Sequence, residues 1–339
     1  MSINRSEQNA NLSYTPDFKP GNSSGLFTFI KITASLISIV VIAGGITLAI
    51  LGIRGDLNFQ PYNYDQLLTT RIMKPATLPV QTQCGVQTVK PSINGETLNS
   101  QRIINGDTAI TDSWPWTVSI RNLKKSQIGS HFCGGSLVYS QYVITAAHCV
   151  SKRNKANMVV IIGVTQFNSP LSYSKVFFVQ DMIVKADFNL AEITNDIAVL
   201  KLNRPASGVE NLCLPDANFT RIFGQKVVVT GWGSTTGFNS NKDLSNNLLQ
   251  VVLSVDNEKF FCSTTTSNYC AMSVTGDSNA CYGDSGSPLM HYSKGKWYLY
   301  GLTSYVIASA DKCLPNLPSY YTAIPFYLEW IASAIATMS

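Results

Sequence analysis

Four regions with different hydrophobic patterns follow one another along the chain. Residues 32–53 form one apolar run without a charged side chain. A tail rich in Asn, Ser, Gly and Pro precedes this run, and a stretch with scattered prolines and weak periodicity follows it as far as residue 102. Beyond that point short β-rich runs alternate with turn residues, which is typical of a β-sandwich or a β-barrel.

The last region predicts a series of strands and one terminal helix. The predicted strands cover residues 116–121, 136–146, 158–163, 176–184, 197–202, 226–230, 248–255 and 296–305. Residues 326–338 instead place Tyr327, Ile331 and Ile335 on one helical stripe. We therefore expect an all-β domain that ends in a helix.

The apolar run predicts a transmembrane helix, because about 20 apolar residues cross a hydrocarbon core of ~30 Å. A cleavable signal peptide is the alternative, but its apolar core is normally shorter and is followed by a small-residue cleavage site. Arg5, Lys19 and Lys31 before the run outnumber Arg54 just after it, which favours a cytosolic N-terminus. The expected organisation is a disordered cytosolic tail (1–31), a signal anchor in the lipid bilayer (32–53), a stem with activation propeptide (54–102) and an extracellular domain (103–339).

Composition narrows the class of protein further. The formal net charge of +5 is spread over the whole length, which argues against a nucleic-acid-binding surface. All eight cysteines follow residue 80, so this part is expected to fold in an oxidising compartment. Eight cysteines allow about 105 pairings, and composition leaves the pairing open. The sequon at Asn218 predicts a glycosylated surface loop.

Three segments carry candidate chemistry. His148 lies at the end of an apolar strand, within Thr-Ala-Ala-His-Cys. Asp196 heads another apolar strand, where an unpaired charge is costly and a partner is needed. Ser285 lies in the glycine-flanked turn Gly-Asp-Ser-Gly-Ser-Pro, where backbone N–H groups can converge. A histidine beside a cysteine is more often structural, so the interpretation depends on all three segments together.

In this order the segments resemble the chymotrypsin/trypsin family of serine proteases, over about residues 103–339. The resemblance implies two antiparallel six-stranded β-barrels, a C-terminal helix and hydrolysis of protein or peptide substrates without a cofactor. It also implies a triad in which Asp196 orients His148, and His148 takes the hydroxyl proton of Ser285. The N–H groups of Gly283 and Ser285 would form the oxyanion hole.

The resemblance also implies an activation site and a disulfide pattern. Cleavage after Arg102 would free the α-amino group of Ile103, which would form a buried ion pair with Asp284. The chain is thus expected to be a zymogen. The implied disulfides are Cys133 with Cys149, Cys262 with Cys270, Cys281 with Cys313 and, between stem and domain, Cys84 with Cys213.

The substrate pocket departs from the trypsin pattern. The substrate-binding positions implied by the resemblance are Asn279, Ala280, Tyr282, Ser304, Tyr305, Val306 and Ser319. Asn279 stands where trypsin-like members carry an Asp, and Asp277 lies two residues before it. Val306 and Ser319 replace glycines, as in elastases, so we expect a preference for small or medium uncharged residues before the scissile bond. Such an enzyme cuts poorly after Arg102, so a separate trypsin-like protease is expected to activate it.

Two further departures concern metal binding and the serine turn. Residues 151–180 contain no Asp or Glu, so the calcium loop of many relatives lacks its carboxylates, and no metal is expected. Ser287 stands where the family usually has a second Gly, which is expected to shift the turn slightly.

Two alternative functions remain open. A protease fold can serve as a catalytically inactive surface binding module, because fold does not settle function. A secreted serine protease with trypsin-like specificity would keep the chemistry and change the location.

Overall fold

The computed structural model describes residues 38–42, 45–49, 77–92, 107–216, 222–238, 243–256, 262, 267–273, 276 and 278–339. The chain divides into two compact units, residues 1–72 and 73–339.

In the first unit, β1 (Ser38–Ile42) and β2 (Gly45–Ala49) pair as an antiparallel hairpin. Both strands lie inside the run 32–53, where the sequence predicts a helix. The rest of the predicted span lies outside the described residues, and within the described part no helix has the length and apolar character needed to cross a membrane.

The second unit opens with β3 (Asp107–Thr108) and continues into a closed six-stranded antiparallel barrel. The barrel strands are β4 (Thr117–Lys124), β5 (Gln127–Val138), β6 (Tyr142–Thr145), β7 (Met158–Ile161), β8 (Val176–Val184) and β9 (Ala198–Leu202). Their order around the barrel is β4-β5-β6-β9-β8-β7. Side chains such as Val118, Ile120 and Leu137 fill its interior and are fully buried.

The single strand predicted over residues 136–146 is wrong, because a turn separates β5 from β6. Tyr139 has φ +42°, and its carbonyl accepts a hydrogen bond from the N–H of Tyr142 at 3.3 Å. Apolar residues on both sides of this short turn hide it in the sequence pattern.

A second barrel follows. Its strands are β10 (Lys226–Gly231), β11 (Leu249–Asp256), β12 (Asn268–Ser273), β13 (Pro288–Ser293), β14 (Lys296–Val306) and, after the short hairpin β15 (Ala308–Ser309) and β16 (Lys312–Cys313), β17 (Ser319–Ala323). The order is β10-β13-β14-β17-β12-β11; β10 also pairs with β11, and β3 pairs with β11 from outside. The expected pair of six-stranded barrels is confirmed.

Two α-helices complete the described part of this unit: α1 (Ala147–Val150) and α2 (Leu328–Met338). Single 3₁₀ turns occupy Lys155–Asn157, Tyr173–Lys175 and Ile324–Tyr327. The predicted terminal helix is confirmed, although its first residues form the last of these 3₁₀ turns. The stripe of Tyr327, Ile331 and Ile335 is buried, as predicted.

Stem residues 77–92 belong to this unit and are held by hydrogen bonds to its later segments. Gly85 exchanges two backbone hydrogen bonds of 2.8 Å, donating to Asn211 and accepting from Trp297. Gly85 has φ +65°, and a Cβ there would lie 2.3 Å from the Trp297 carbonyl oxygen, so this contact requires glycine. The adjacent disulfide joins Cys84 to Cys213.

The other disulfides also match the implied pairs. They join Cys133 to Cys149, Cys262 to Cys270 and Cys281 to Cys313.

Candidate active site

The ends of two strands in the first barrel bring His148 and Asp196 together. His148 lies in α1, directly after β6, and Asp196 lies just before β9, which pairs with β6. The Nδ1 atom of His148 is 2.7 Å from Asp196 Oδ2, and the backbone N–H of His148 donates to Oδ1 at 2.8 Å. Two contacts to one carboxylate fix the orientation of the imidazole.

Asp196 is only 1% exposed, and one further side chain donates to its carboxylate while others hold the neighbouring backbone and Asn195. The Ser304 hydroxyl donates to Oδ2 at 2.6 Å, and the Thr322 hydroxyl donates to the Asp196 carbonyl at 2.9 Å. The Tyr327 hydroxyl donates to Asn195 Oδ1 at 3.0 Å, where Asn195 has φ +56°. The sequence predicts substrate contact for Ser304 and misses its bond to the carboxylate.

The Ser285 turn lies between β12 and β13 and packs against the end of β6. Ser285 accepts a backbone hydrogen bond of 2.8 Å from Gly134. Gly286 has φ +78°, and a Cβ there would lie 2.2 Å from Thr145 Oγ1, so only glycine fits this approach. A Cβ at Gly286 would also lie 3.1 Å from the backbone nitrogen of Ala146, which places the Ser285 turn beside the start of α1. Within the described residues no hydrogen bond joins the side chains of Ser285 and His148.

The same turn presents two free amide donors. Gly283 has φ +97°. In the part of the chain that the structure describes, neither the Gly283 N–H nor the Ser285 N–H has a hydrogen-bond acceptor. A turn with two unused N–H groups beside a hydroxyl can bind an oxyanion.

Asp284 lies fully buried under this turn. Its carboxylate accepts hydrogen bonds from the N–H of Gly233 at 2.8 Å and of Cys281 at 2.9 Å. Burial raises the pKa of Asp284 to about 6, against the opposing effect of these two bonds. A Cβ at Gly231 or Gly233 would lie 2.0 or 2.2 Å from a carboxylate oxygen, so glycine at both positions leaves room for the Asp284 side chain.

His131 is a buried group near the site that the sequence patterns did not reveal. Its Nδ1 atom is 2.9 Å from the Ser119 hydroxyl, and its Nε2 atom is 2.9 Å from the carbonyl of Gly283. Burial lowers the pKa of His131 to about 4. Its place two residues before Cys133, in a chain with three histidines, is the one sequence feature that could have drawn attention to it.

Asn279 lies at the centre of a buried polar cluster beside the turn. Its Nδ2 donates to the Leu317 carbonyl at 2.5 Å, and its Oδ1 accepts from the Ser319 hydroxyl at 2.5 Å. The Tyr321 hydroxyl lies 2.6 Å from Ser319 Oγ. All three residues of this cluster, Asn279, Ser319 and Tyr321, are buried, so the polar groups satisfy one another.

Two strands form a wall around this cluster. Val306 on β14 is the cross-strand partner of Ser319 on β17, so both glycine replacements meet at one point. The rings of Tyr305 and Tyr320 stack at 4.4 Å. Ala280 is buried, whereas Tyr282 is partly exposed.

Four residues of interest lie outside the described part of the chain: Arg102, Ile103, Asn218 and Asp277. Among the described residues, one group of three metal-ligand atoms occurs, from Cys133, His148 and Cys149. The two sulfurs of that group are joined in a disulfide and present no thiolate.

Comparison with known proteins gives one family and several relatives. The family model described as Trypsin matches residues 103–331. Over 243 residues the chain is 34% identical to transmembrane protease serine 11G of Mus musculus and 32% identical to transmembrane protease serine 11G of Rattus norvegicus. Each match covers 68% of this chain and 55% of the relative, so the matched part spans about half the length of these relatives.

Proposed function

The chain belongs to the trypsin family of serine proteases, and from this premise we propose that it is a membrane-anchored serine endopeptidase made as a zymogen. One observation carries the proposal: His148 Nδ1 lies 2.7 Å from the buried Asp196 carboxylate, next to a turn with two free amide donors.

In the proposed reaction, His148 is the general base and Ser285 is the nucleophile. Asp196 keeps the proton on Nδ1, which leaves Nε2 without a hydrogen and able to take the hydroxyl proton when Ser285 attacks the scissile carbonyl. The base then returns that proton to the leaving amine, and water hydrolyses the acyl-enzyme by the same steps. We expect the Ser285 side chain to form a hydrogen bond with His148 in the activated protein. Catalytic hydrogen bonds often have long donor–acceptor distances in the substrate-free enzyme and shorten when substrate binds.

The oxyanion that develops on the carbonyl would be held by the N–H groups of Gly283 and Ser285. Their lack of partners in the described part supports this role. Such donors stabilise the transition state more than the ground state, and loss of one costs about 100-fold to 1,000-fold in kcat in related sites.

Activation would occur by cleavage after Arg102. The new α-amino group of Ile103, with a usual pKa of ~7.7–8.0, would pair with Asp284. The proposal is supported by a fully buried carboxylate with a raised pKa and no cation against it among the described residues. A positive charge placed beside such a carboxyl group strongly stabilises its ionised form.

For specificity, we propose small or medium uncharged side chains before the scissile bond. Asn279 offers an amide and not a carboxylate to a Lys or Arg side chain, and this amide is already hydrogen-bonded to Leu317 and Ser319. Val306 and Ser319 are cross-strand partners on β14 and β17, and their side chains would narrow the pocket for the residue before the scissile bond. A separate trypsin-like protease would then be needed to cut after Arg102.

Anchoring through residues 32–53 would put the protease domain on the outer face of the cell membrane, in type II orientation. The names of the similar mouse and rat proteins describe transmembrane proteases. The Cys84–Cys213 disulfide would keep the domain attached to the stem after cleavage.

A cleavage assay tests this proposal. The full chain in detergent micelles is treated with immobilised trypsin, which is then removed by centrifugation, and the product is offered a peptide library. We expect cleavage after small or medium uncharged residues, and no cleavage by the Ser285→Ala protein prepared in parallel. Equal cleavage by both preparations, or none by either after complete cutting at Arg102, would favour a binding module instead.

A further inference from the structure

Arg121 is a buried cation whose place in the fold needs an explanation. It lies on β4 and is 7% exposed. Its guanidinium lies over the ring of Phe167, 4.7 Å from the centroid, and Nη2 is buried without a hydrogen-bond partner. No carboxylate within the described residues forms an ion pair with it. A buried and unpaired charge is costly. The hydrogen bond that Arg121 donates to Ser119 therefore indicates a role for this residue.

That contact begins a chain of hydrogen bonds whose directions can be assigned. Arg121 Nε donates to Ser119 Oγ at 3.1 Å, because a guanidinium can only donate. At the far end, His131 Nε2 lies 2.9 Å from the Gly283 carbonyl, which can only accept, so Nε2 carries a hydrogen.

The middle of the chain follows from the charge of the ring. Burial, together with the charge of Arg121, lowers the pKa of His131 to about 4, although the bond to Gly283 opposes this. The neutral ring with a hydrogen on Nε2 has a bare Nδ1, which accepts the hydroxyl hydrogen of Ser119 at 2.9 Å. The bond from Arg121 occupies an oxygen lone pair of Ser119 and leaves that hydrogen pointing at His131.

The chain ends on the peptide between the two proposed oxyanion donors. The Gly283 carbonyl belongs to the peptide that separates the Gly283 N–H from the Ser285 N–H. Gly283 has φ +97°, a region in which glycine has several accessible conformations. The hydrogen bond from His131 to this carbonyl therefore selects one of these conformations.

We propose that Arg121 is a positioning residue for the oxyanion hole, acting through Ser119 and His131 on the carbonyl of Gly283. The inference rests on the proposed protease function. Arg121 does not contact the substrate in this proposal. It affects the chemical step, and therefore kcat.

Kinetics of Arg121→Met test the proposal. Methionine keeps the apolar packing on Phe167 and removes both the Nε donor and the charge. Because the oxyanion forms only in the transition state, we expect kcat to fall by roughly 10-fold to 100-fold while KM changes by less than about threefold. The matched control is Arg204→Met, since Arg204 lies over Phe177 at 4.0 Å, also has a buried guanidinium nitrogen without a partner among the described residues, and donates its hydrogen bonds to Tyr173 and Val176. We expect it to keep kcat.

A second measurement does not need activity. The three histidine rings of the full chain are labelled with ¹⁵N, in the Ser285→Ala background, and long-range ¹⁵N–¹H spectra report which nitrogen carries hydrogen. We expect His131 to be neutral with hydrogen on Nε2 alone. In Arg121→Met we expect the hydrogen to stay on Nε2, because the Gly283 carbonyl still accepts it, and the pKa of His131 to rise, because the charge of Arg121 helps to lower it. Ser119→Ala replaces this variant if Arg121→Met does not fold, and an unchanged His131 pKa would contradict the link.

The outcomes separate this inference from the proposed function. Hydrogen on Nδ1 in the unchanged protein overturns the inference, and so does an unchanged kcat in folded Arg121→Met. Absence of any peptide hydrolysis by the unchanged protein would overturn the protease function, and the tautomer measurement would still decide whether Arg121 sets the state of His131.

Discussion

Asp196 contacts His148 through both carboxylate oxygens, one at 2.7 Å from the ring Nδ1 and the other at 2.8 Å from the backbone nitrogen. The backbone contact positions α1, and the ring contact selects the tautomer. One buried carboxylate thus sets both the location and the tautomer of the proposed base.

Replacement of Asp196 by Asn tests this double contact. The amide would donate toward Nδ1 and force the ring to carry its hydrogen on Nε2, where it cannot accept the serine proton. We expect kcat to fall by about 10⁴-fold, the size of the loss that the same Asp-to-Asn change causes in a related Ser-His-Asp triad, with little change in KM. Steady-state kinetics on a peptide ester measure this. A loss below about tenfold in a folded variant would contradict the assigned role.

The pocket wall gives a second prediction. In a Val306→Gly, Ser319→Gly double variant, the two cross-strand partners lose their side chains and the pocket deepens. We expect kcat/KM to rise by roughly 10-fold for substrates with Phe before the scissile bond and to fall for Ala, because a methylene of fit is worth ~1–3 kcal/mol. Val306→Gly alone is the control, since it leaves the Ser319 hydroxyl bonds to Asn279 intact. An unchanged preference would place the specificity pocket elsewhere.

The raised pKa of Asp284 predicts different pH profiles before and after activation. In the uncut chain, the pKa near 6 exceeds the usual 3.8, so the stabilisation from protonated Asp284 is present below about pH 4 and is lost as the pH rises through 6. In the cut chain, the Ile103 ammonium would keep Asp284 ionised, and the stabilisation from this ion pair would be lost as the pH rises through the raised pKa of the amine.

We therefore expect the stability difference, cut minus uncut, to grow by about 2–3 kcal/mol between pH 4 and pH 7 and to fall above pH 8. Urea unfolding of both forms in the Ser285→Ala background measures it, and subtraction cancels groups common to the two forms. A difference that stays flat across this range would mean that Asp284 does not pair with the new terminus.

Ser287 supplies a prediction about stability. Its φ is not positive, so the turn does not demand the usual glycine, but its hydroxyl is buried without a partner. We expect Ser287→Ala to stabilise the protein by about 1 kcal/mol, because an unsatisfied buried hydroxyl is costly, and to change kcat/KM by less than about threefold. Ser278→Ala is the contrast, since that hydroxyl donates to Ser273 and its loss should destabilise. Thermal unfolding distinguishes the two signs.

The sequence predicted the elements with strong periodicity and missed those that packing creates. The strands around Val118 and Leu200 and the stripe of Ile331 follow from local pattern, because each buries a regular apolar face. The strand β13 begins at a proline, which weakens its pattern, although β10 and β14 pair with it on either side.

The same limit applies to the site. Motifs in the sequence point to His148, Asp196 and Ser285, but they do not reveal the hydrogen bond from Ser304 to Asp196. Links such as Arg121 to Ser119 to His131 join residues whose importance depends on hydrogen-bond direction and burial. Neither property can be read from residue type and spacing alone.

Covalent labelling of Ser285 tests the central claim most directly. The full chain, before and after cleavage at Arg102, is exposed to a fluorophosphonate and analysed by mass spectrometry of its peptides. We predict one phosphonyl group on Ser285 in the cleaved protein, little in the uncleaved protein, and none when His148 is replaced by Ala. A cleaved, folded protein that stays unlabelled, or labelling that does not depend on His148, would contradict the account.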